Sequence, residues 1–126
     1  MIDFKNGALF KLKDVDNGTY EKQITPLLIP GEKVIACFKS IRDGVVFTDK
    51  RIIAINVQGL TGSKADYSSL PYAKIQAYSV ETASVWEWVP DSELEVCFSG
   101  LGKVRFEFNK QTDIIELSRV ISQYVL

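Results

Sequence analysis

The chain has 126 residues, with 15 Lys and Arg against 16 Asp and Glu for a formal net charge of −1, 46% hydrophobic and 25% charged residues, and no histidine. One domain of this size buries about two thirds of its unfolded surface, enough to form a core without disulfides or metals. The charge balance gives no overall case for nucleic acid or an anionic membrane as partner, and either would need a local patch. The missing imidazole removes the commonest general base and every histidine-built triad or zinc site, and no cofactor is expected.

The first 31 residues read as a helical extension packed on a domain formed by 32–126. Ala8, Leu9, Phe10 and Leu12 suit a short helical turn that Asp14, Asp16, Asn17 and Gly18 end. Tyr20, Ile24, Leu27 and Leu28 then fall on one helical face, with Asp16 or Asn17 as N-cap. Pro26 removes a backbone donor and crowds the preceding turn, so a kink or stop is expected near Thr25. Asp3, Lys5, Lys11 and Lys13 leave no apolar stretch for a secretory signal, and the longest apolar run, 34–38, is five residues. A membrane-spanning helix needs about 20. A reduced, cytoplasmic setting is the expectation, with Cys37 and Cys97 as half-buried strand thiols.

From Glu32 the periodicity becomes strand-like. Strands are expected over 32–41, 45–48, 51–58, 64–70 and 74–82, separated by turn residues at Asp43-Gly44, Thr48-Asp49-Lys50 and 59–62, and by Pro71. The 83–92 connection carries Trp86, Trp88 and Pro90 and reads as a loop or edge. A last hairpin alternates most clearly: Leu94, Val96 and Phe98 on one arm, Val104, Phe106 and Phe108 on the other.

Sharing one apolar face restricts that hairpin to two registers. One sets Glu95 opposite Arg105 and Val96 opposite Val104; the other sets Glu95 opposite Glu107 and Val96 opposite Phe106. Directly opposed like charges are destabilising, so the first is expected. Residues 110–125 read as a helix with Ile114, Leu117, Ile121, Tyr124 and Val125 on one stripe and Asn109 or Thr112 as N-cap. A lone amphipathic helix after about seven strands would plug one open end of a barrel.

Several segments resemble the bacterial pleckstrin-homology-domain family: G-E-K-V-I-A-C-F-K-S-I-R-D at 31–43, V-F-T-D-K-R at 46–51, Q-G-L-T-G-S-K at 58–64, Y-S-S-L-P-Y at 67–72, Y-S-V-E-T-A at 78–83 and F-N-K-Q-T-D-I-I-E-L at 108–117. The resemblance runs from about Tyr20 to Leu126. It implies a mainly β fold, a partly open, seven-stranded antiparallel barrel of pleckstrin-homology-like plan capped by one C-terminal helix, in proteins of unknown biochemical role. It also implies a closed cyclic homo-oligomer, a pentamer in the first instance, in which strands of neighbouring protomers meet. The aromatic 83–92 connection and Pro30 depart from the family pattern.

Each stretch with a chemical reading also has a plain structural one. The stretch 59–64 lacks the spacing and the strand-to-helix context of a phosphate loop. Glu81, Glu87, Asp91, Glu93 and Glu95 read as a solvated face rather than a cation site. Lys39, Arg42, Lys50 and Arg51 lie near strand ends where a phospholipid headgroup could sit, although Asp43 and Asp49 interleave them. Trp86 and Trp88 suit either a protomer interface or the cover of a barrel end. The reading is therefore a non-catalytic interaction module that self-assembles and presents a composite surface to an unidentified protein. A peripheral phospholipid binder through Lys39, Arg42, Lys50 and Arg51 is the alternative, and a small-molecule binder inside the barrel comes third.

Overall fold

The computed structural model describes residues 1, 9–84, 91–109 and 111–126. Eight strands form one open sheet in the order β5-β4-β3-β2-β1-β8-β7-β6. They are β1 (Leu9–Val15), β2 (Val34–Lys39), β3 (Gly44–Thr48), β4 (Arg51–Gln58), β5 (Lys64–Pro71), β6 (Ile75–Glu81), β7 (Ser92–Phe98) and β8 (Gly102–Phe108). Helix α1 (Glu21–Ile24) continues as a 3-10 turn (Thr25–Leu27), and α2 (Ile114–Val125) follows β8.

The strand count is eight rather than seven because 9–15 is a strand, not a helical turn. β1 pairs antiparallel with β2, Lys13 facing Lys39, and parallel with β8, Leu12 facing Phe108. It therefore stitches the β2–β5 meander to the β6–β8 meander, and neighbours on both sides satisfy its backbone. Leu12 points into the core between exposed Lys11 and Lys13, the alternation of a strand. Lys11 itself sits at φ 55, where the strand bulges between its two partners. Of the expected helical face Tyr20 and Ile24 are buried and Leu28 half-buried, but Leu27 is exposed because the helix ends before it, the stop that Pro26 predicts. The α-helix stops at Ile24 and tightens to a 3-10 turn with Pro26 at its start.

Both helix caps differ from expectation. Tyr20 occupies the α1 N-cap without a side-chain bond. Asp16 instead closes the preceding turn, its carboxylate accepting the Gly18 N–H at 2.7 Å. At α2 the cap is Asp113, whose carboxylate accepts the Glu116 N–H at 3.0 Å. Asn109 lies too far ahead of Ile114, the first helical residue, and its side-chain carbonyl accepts the Thr112 hydroxyl at 3.3 Å instead.

The barrel interior holds Leu12, Phe38, Phe47, Ile52, Leu94, Val96, Val104, Phe106 and Phe108, with Ile114, Leu117 and Ile121 of α2 packed onto it. Phe38 meets Phe108 and Phe47 edge-on, at 4.8 and 5.7 Å between ring centroids. Such pairs add about 0.5–1.5 kcal/mol beyond area burial. A second cluster lies on the outer face of the same strands, where Tyr20 and Ile24 cover Cys37, Val46, Ile53 and Ile55. Cys37 is thus fully buried rather than half-buried, and burial pushes its thiol up to about 11. Covered on both sides, β3 is buried at all five positions. Gly44 leaves room for the Tyr20 ring, with which any Cβ at that position would collide.

In the last hairpin Glu95 faces Arg105 and Val96 faces Val104, the register that charge opposition favours. The ion pairs nonetheless form diagonally, Arg105 to Glu93 at 3.2 Å and Lys103 to Glu95 at 3.6 Å.

Candidate functional site

Lys39 and Arg42 sit at the β2–β3 turn, whereas Lys50 and Arg51 follow β3 at its other end. Four residue steps of strand separate the two ends, about 13 Å. The four cations therefore do not converge on one phosphate.

Arg51 is also engaged within the fold. Its Nε and Nη2 form a fork on the Glu32 carboxylate at 2.9 and 3.0 Å, Nη2 reaches the Leu27 carbonyl at 2.7 Å, and Nη1 donates to Ser69 Oγ at 3.0 Å. Glu32, whose side chain is fully buried, also accepts the Thr48 hydroxyl at 2.7 Å and the Ile29 N–H at 3.1 Å. Burial alone would raise the Glu32 carboxyl, but the Arg51 fork, the Thr48 hydroxyl and the Ile29 amide outweigh it and hold the group below the usual range. This network ties the α1 segment to β3, β4 and β5. Lys50, by contrast, is exposed on the turn beside it.

The other end of β3 has a different construction. In the β2–β3 turn, Ser40 donates its N–H to the Asp43 carbonyl at 2.9 Å. The Asp43 carboxylate turns inward to accept the Val57 N–H at 3.0 Å and the Asn56 amide at 3.2 Å. Arg42 reaches across to the Gly59 carbonyl. These bonds lock the turn to the 59–63 loop between β4 and β5. On the two tips Ile41 is 95% exposed and Leu60 is fully exposed, with Lys13, Lys39, Arg42 and Lys64 exposed around them. Neither aliphatic is singled out by the sequence pattern. Their available signal was an isolated apolar residue inside a polar turn, Ser40-Ile41-Arg42-Asp43 and Gly59-Leu60-Thr61-Gly62.

The sheet does not close. Among the described residues β5 pairs only with β4 and β6 only with β7, so each strand has an unpaired outer edge. Helix α2 lies against β6, β7 and the 3-10 turn Tyr72–Lys74, with Tyr78 Oη and Ser122 Oγ 2.6 Å apart and Tyr124 stacked on Tyr72. Trp86 and Trp88 lie outside the described residues. Of the acids in the same region, Glu81, Glu93 and Glu107 face one another across three strands. Burial and these two neighbours raise the Glu93 carboxyl despite Arg105. Among the described residues no three His, Cys, Asp or Glu side chains are placed to hold a metal, and no helix is long and apolar enough to cross a membrane.

Comparison with known proteins gives one consistent answer. Residues 3–125 match the family described as the bacterial PH domain. The uncharacterized protein YjqA of Bacillus subtilis is 38% identical over 123 residues, covering 96% of this chain and 97% of that protein. The uncharacterized protein YozO of the same organism is 28% identical over 111 residues, covering 88% and 94%. Among solved structures, a DUF1696 family protein with a pleckstrin-homology domain from Shewanella loihica superposes with a TM-score of 0.80 at 32% identity, over 93% of this chain and 99% of that one. A pleckstrin homology domain from Shewanella amazonensis gives 0.67 at 33%, over 96% and 93%. The family match over nearly the whole chain and the 38% identical relative show that the chain belongs to the bacterial pleckstrin-homology-domain family.

Proposed function

We propose that the chain is a non-catalytic cytoplasmic module that works by self-association, the β5 edge of one copy pairing with the β6 edge of the next to close a ring. The observation that carries this reading is the pair of edges, on β5 and β6, left unpaired among the described residues of a single sheet. Exposed strand edges template pairing unless they are blunted. A head-to-tail contact between two different edges generates a closed ring when its rotation permits, a pentamer being the starting expectation. The ring would then offer a repeated surface to a protein partner, with Trp86 and Trp88 as candidates for the protomer contact.

Ala65 on β5 and Ala77 on β6 are exposed and small, so Ala65→Lys and Ala77→Lys place a charge on each edge without disturbing the core. Sedimentation of the full chain should show a closed multiple of 14.2 kDa for the parent and a single protomer for each variant. A parent that sediments as one protomer would refute self-association. An assembly that survives both substitutions would refute the edges as its contact.

A further inference from the structure

We propose that residues 16–31, the segment carrying α1, form a strap that opens as one unit while the barrel stays folded, and that this opening gates access to the Cys37 thiol. The strap carries its own backbone bonds: the Thr19 N–H donates to the Asp16 carbonyl at 3.0 Å, Ile24 to Tyr20 at 3.0 Å and Leu28 to Ile24 at 3.2 Å. Among the described residues no backbone-to-backbone hydrogen bond joins 16–31 to a strand. Side chains hold it down instead. Asn17 Nδ2 donates to the Ile35 carbonyl at 3.1 Å, Arg51 donates to the Leu27 carbonyl at 2.7 Å, and Tyr20 and Ile24 pack on Cys37, Val46, Ile53 and Ile55. The sheet beneath is built differently, β3 pairing with both β2 and β4. A segment without ladder bonds to the sheet opens at lower free energy than the ladder itself.

Packing beneath the strap is incomplete. A groove of about 320 Å³ is lined by Ile24, Thr25 and Leu28 of the strap and by Val34 of β2, so those apolar groups lack the close contacts of a filled interior. Leu27 and Ile29 remain 40% and 54% exposed, and the end of the strap therefore commits little apolar area to the barrel. At its exit Gly31 takes a φ of 83, which lets the chain swivel there without a Cβ clash. Cys37 belongs to the outer cluster that the strap covers, not to the barrel core. It is fully buried, with Sγ 3.5 Å from the Asn17 carbonyl. Lifting the strap exposes this thiol with the β2–β3–β4 ladder intact.

The test is the rate at which Ellman's reagent labels Cys37 in the full chain carrying Cys97→Ser, which leaves Cys37 as the reporting thiol. Labelling is expected at least about tenfold faster than global unfolding permits, with a shallower dependence on urea than the unfolding transition. Asn17→Ala should speed it by about fivefold and Leu28→Ala by about tenfold. Val104→Ala, in the barrel core, should lower the unfolding midpoint and leave the labelling rate unchanged. Labelling no faster than global unfolding, accelerated by Val104→Ala in full proportion to its loss of stability, would overturn the inference. Labelling as fast as in the urea-unfolded chain would also overturn it, because the strap would then gate nothing. Native mass should be the same in the parent, Asn17→Ala and Leu28→Ala. A drop in mass accompanying faster labelling would overturn strap opening in favour of shielding by a neighbouring copy.

Discussion

The two meanders use the same strand chemistry under different cover. In β2–β4 the barrel core fills one face and the α1 segment covers the other, so β3 is buried throughout and β4 from Ile52 to Ile55. In β7 and β8 only the inner face is fully covered, and buried positions alternate with wetter ones. Period-2 alternation is thus a signature of one-sided burial, and its loss in Val45-Val46-Phe47 reports a second layer. A second layer also brings polar groups into the interior, where they need complete partnership. Glu32 and Arg51 are the result in the covered half, whereas the Glu and Arg side chains of β7–β8 remain partly exposed in diagonal pairs.

The largest expected break in this contrast is Arg51→Ala. It leaves the Glu32 carboxylate buried without its fork and should destabilise the chain by about 3–5 kcal/mol in equilibrium denaturation. Arg105→Ala in the open half should change stability by less than about 1 kcal/mol, because exposed pairs contribute little. Equal losses at the two arginines would remove the distinction between the halves. Next comes Gly44→Ala, which drives a Cβ into the Tyr20 ring and should cost about 1–3 kcal/mol through overpacking. Combining it with Tyr20→Ala should abolish the clash, making the two changes strongly non-additive in a double-mutant cycle.

The halves should also respond oppositely to acid. Glu32 has a lowered carboxyl, so its contribution is present above the ordinary glutamate range and is lost as pH falls through its depressed folded value. Glu93 is raised, so its ionised form opposes folding, and falling pH relieves that penalty as the carboxyl protonates. Glu93→Gln should therefore raise stability at neutral pH by under about 1 kcal/mol and remove the relief on mild acidification. Denaturation from about pH 7 down to about pH 3, which passes below the ordinary glutamate value, checks both signs. The smallest effect is expected at the seam between the halves: Lys11→Gly relieves a left-handed backbone and should raise the melting midpoint modestly, by about 0.5–1 kcal/mol of stability.

What the sequence made legible follows the same division. The β7–β8 register could be derived because one wet face exposes the alternation and because opposed glutamates exclude the competitor. Strand β4 and the Ile114-Leu117-Ile121 stripe of α2 were readable from local composition and spacing. Strand β1 was not, since its identity depends on partners far along the chain, Lys39 and Phe108, rather than on its own seven residues. The cationic site failed to emerge for a related reason. Sequence identifies strand ends but does not say which end of β3 each turn occupies, nor that Arg51 is claimed by an acid 19 positions earlier. Ile41 and Leu60 became visible only when the Arg42 and Asp43 bonds set their two loops side by side.

Amide hydrogen exchange on the assembled full chain, resolved along β5 and β6, tests self-association through these edges most directly. Pairing between copies predicts slow exchange along both outer edges, comparable to interior strands, that becomes fast in Ala77→Lys. Fast exchange along both edges in the parent chain would contradict edge pairing and require another surface to carry assembly.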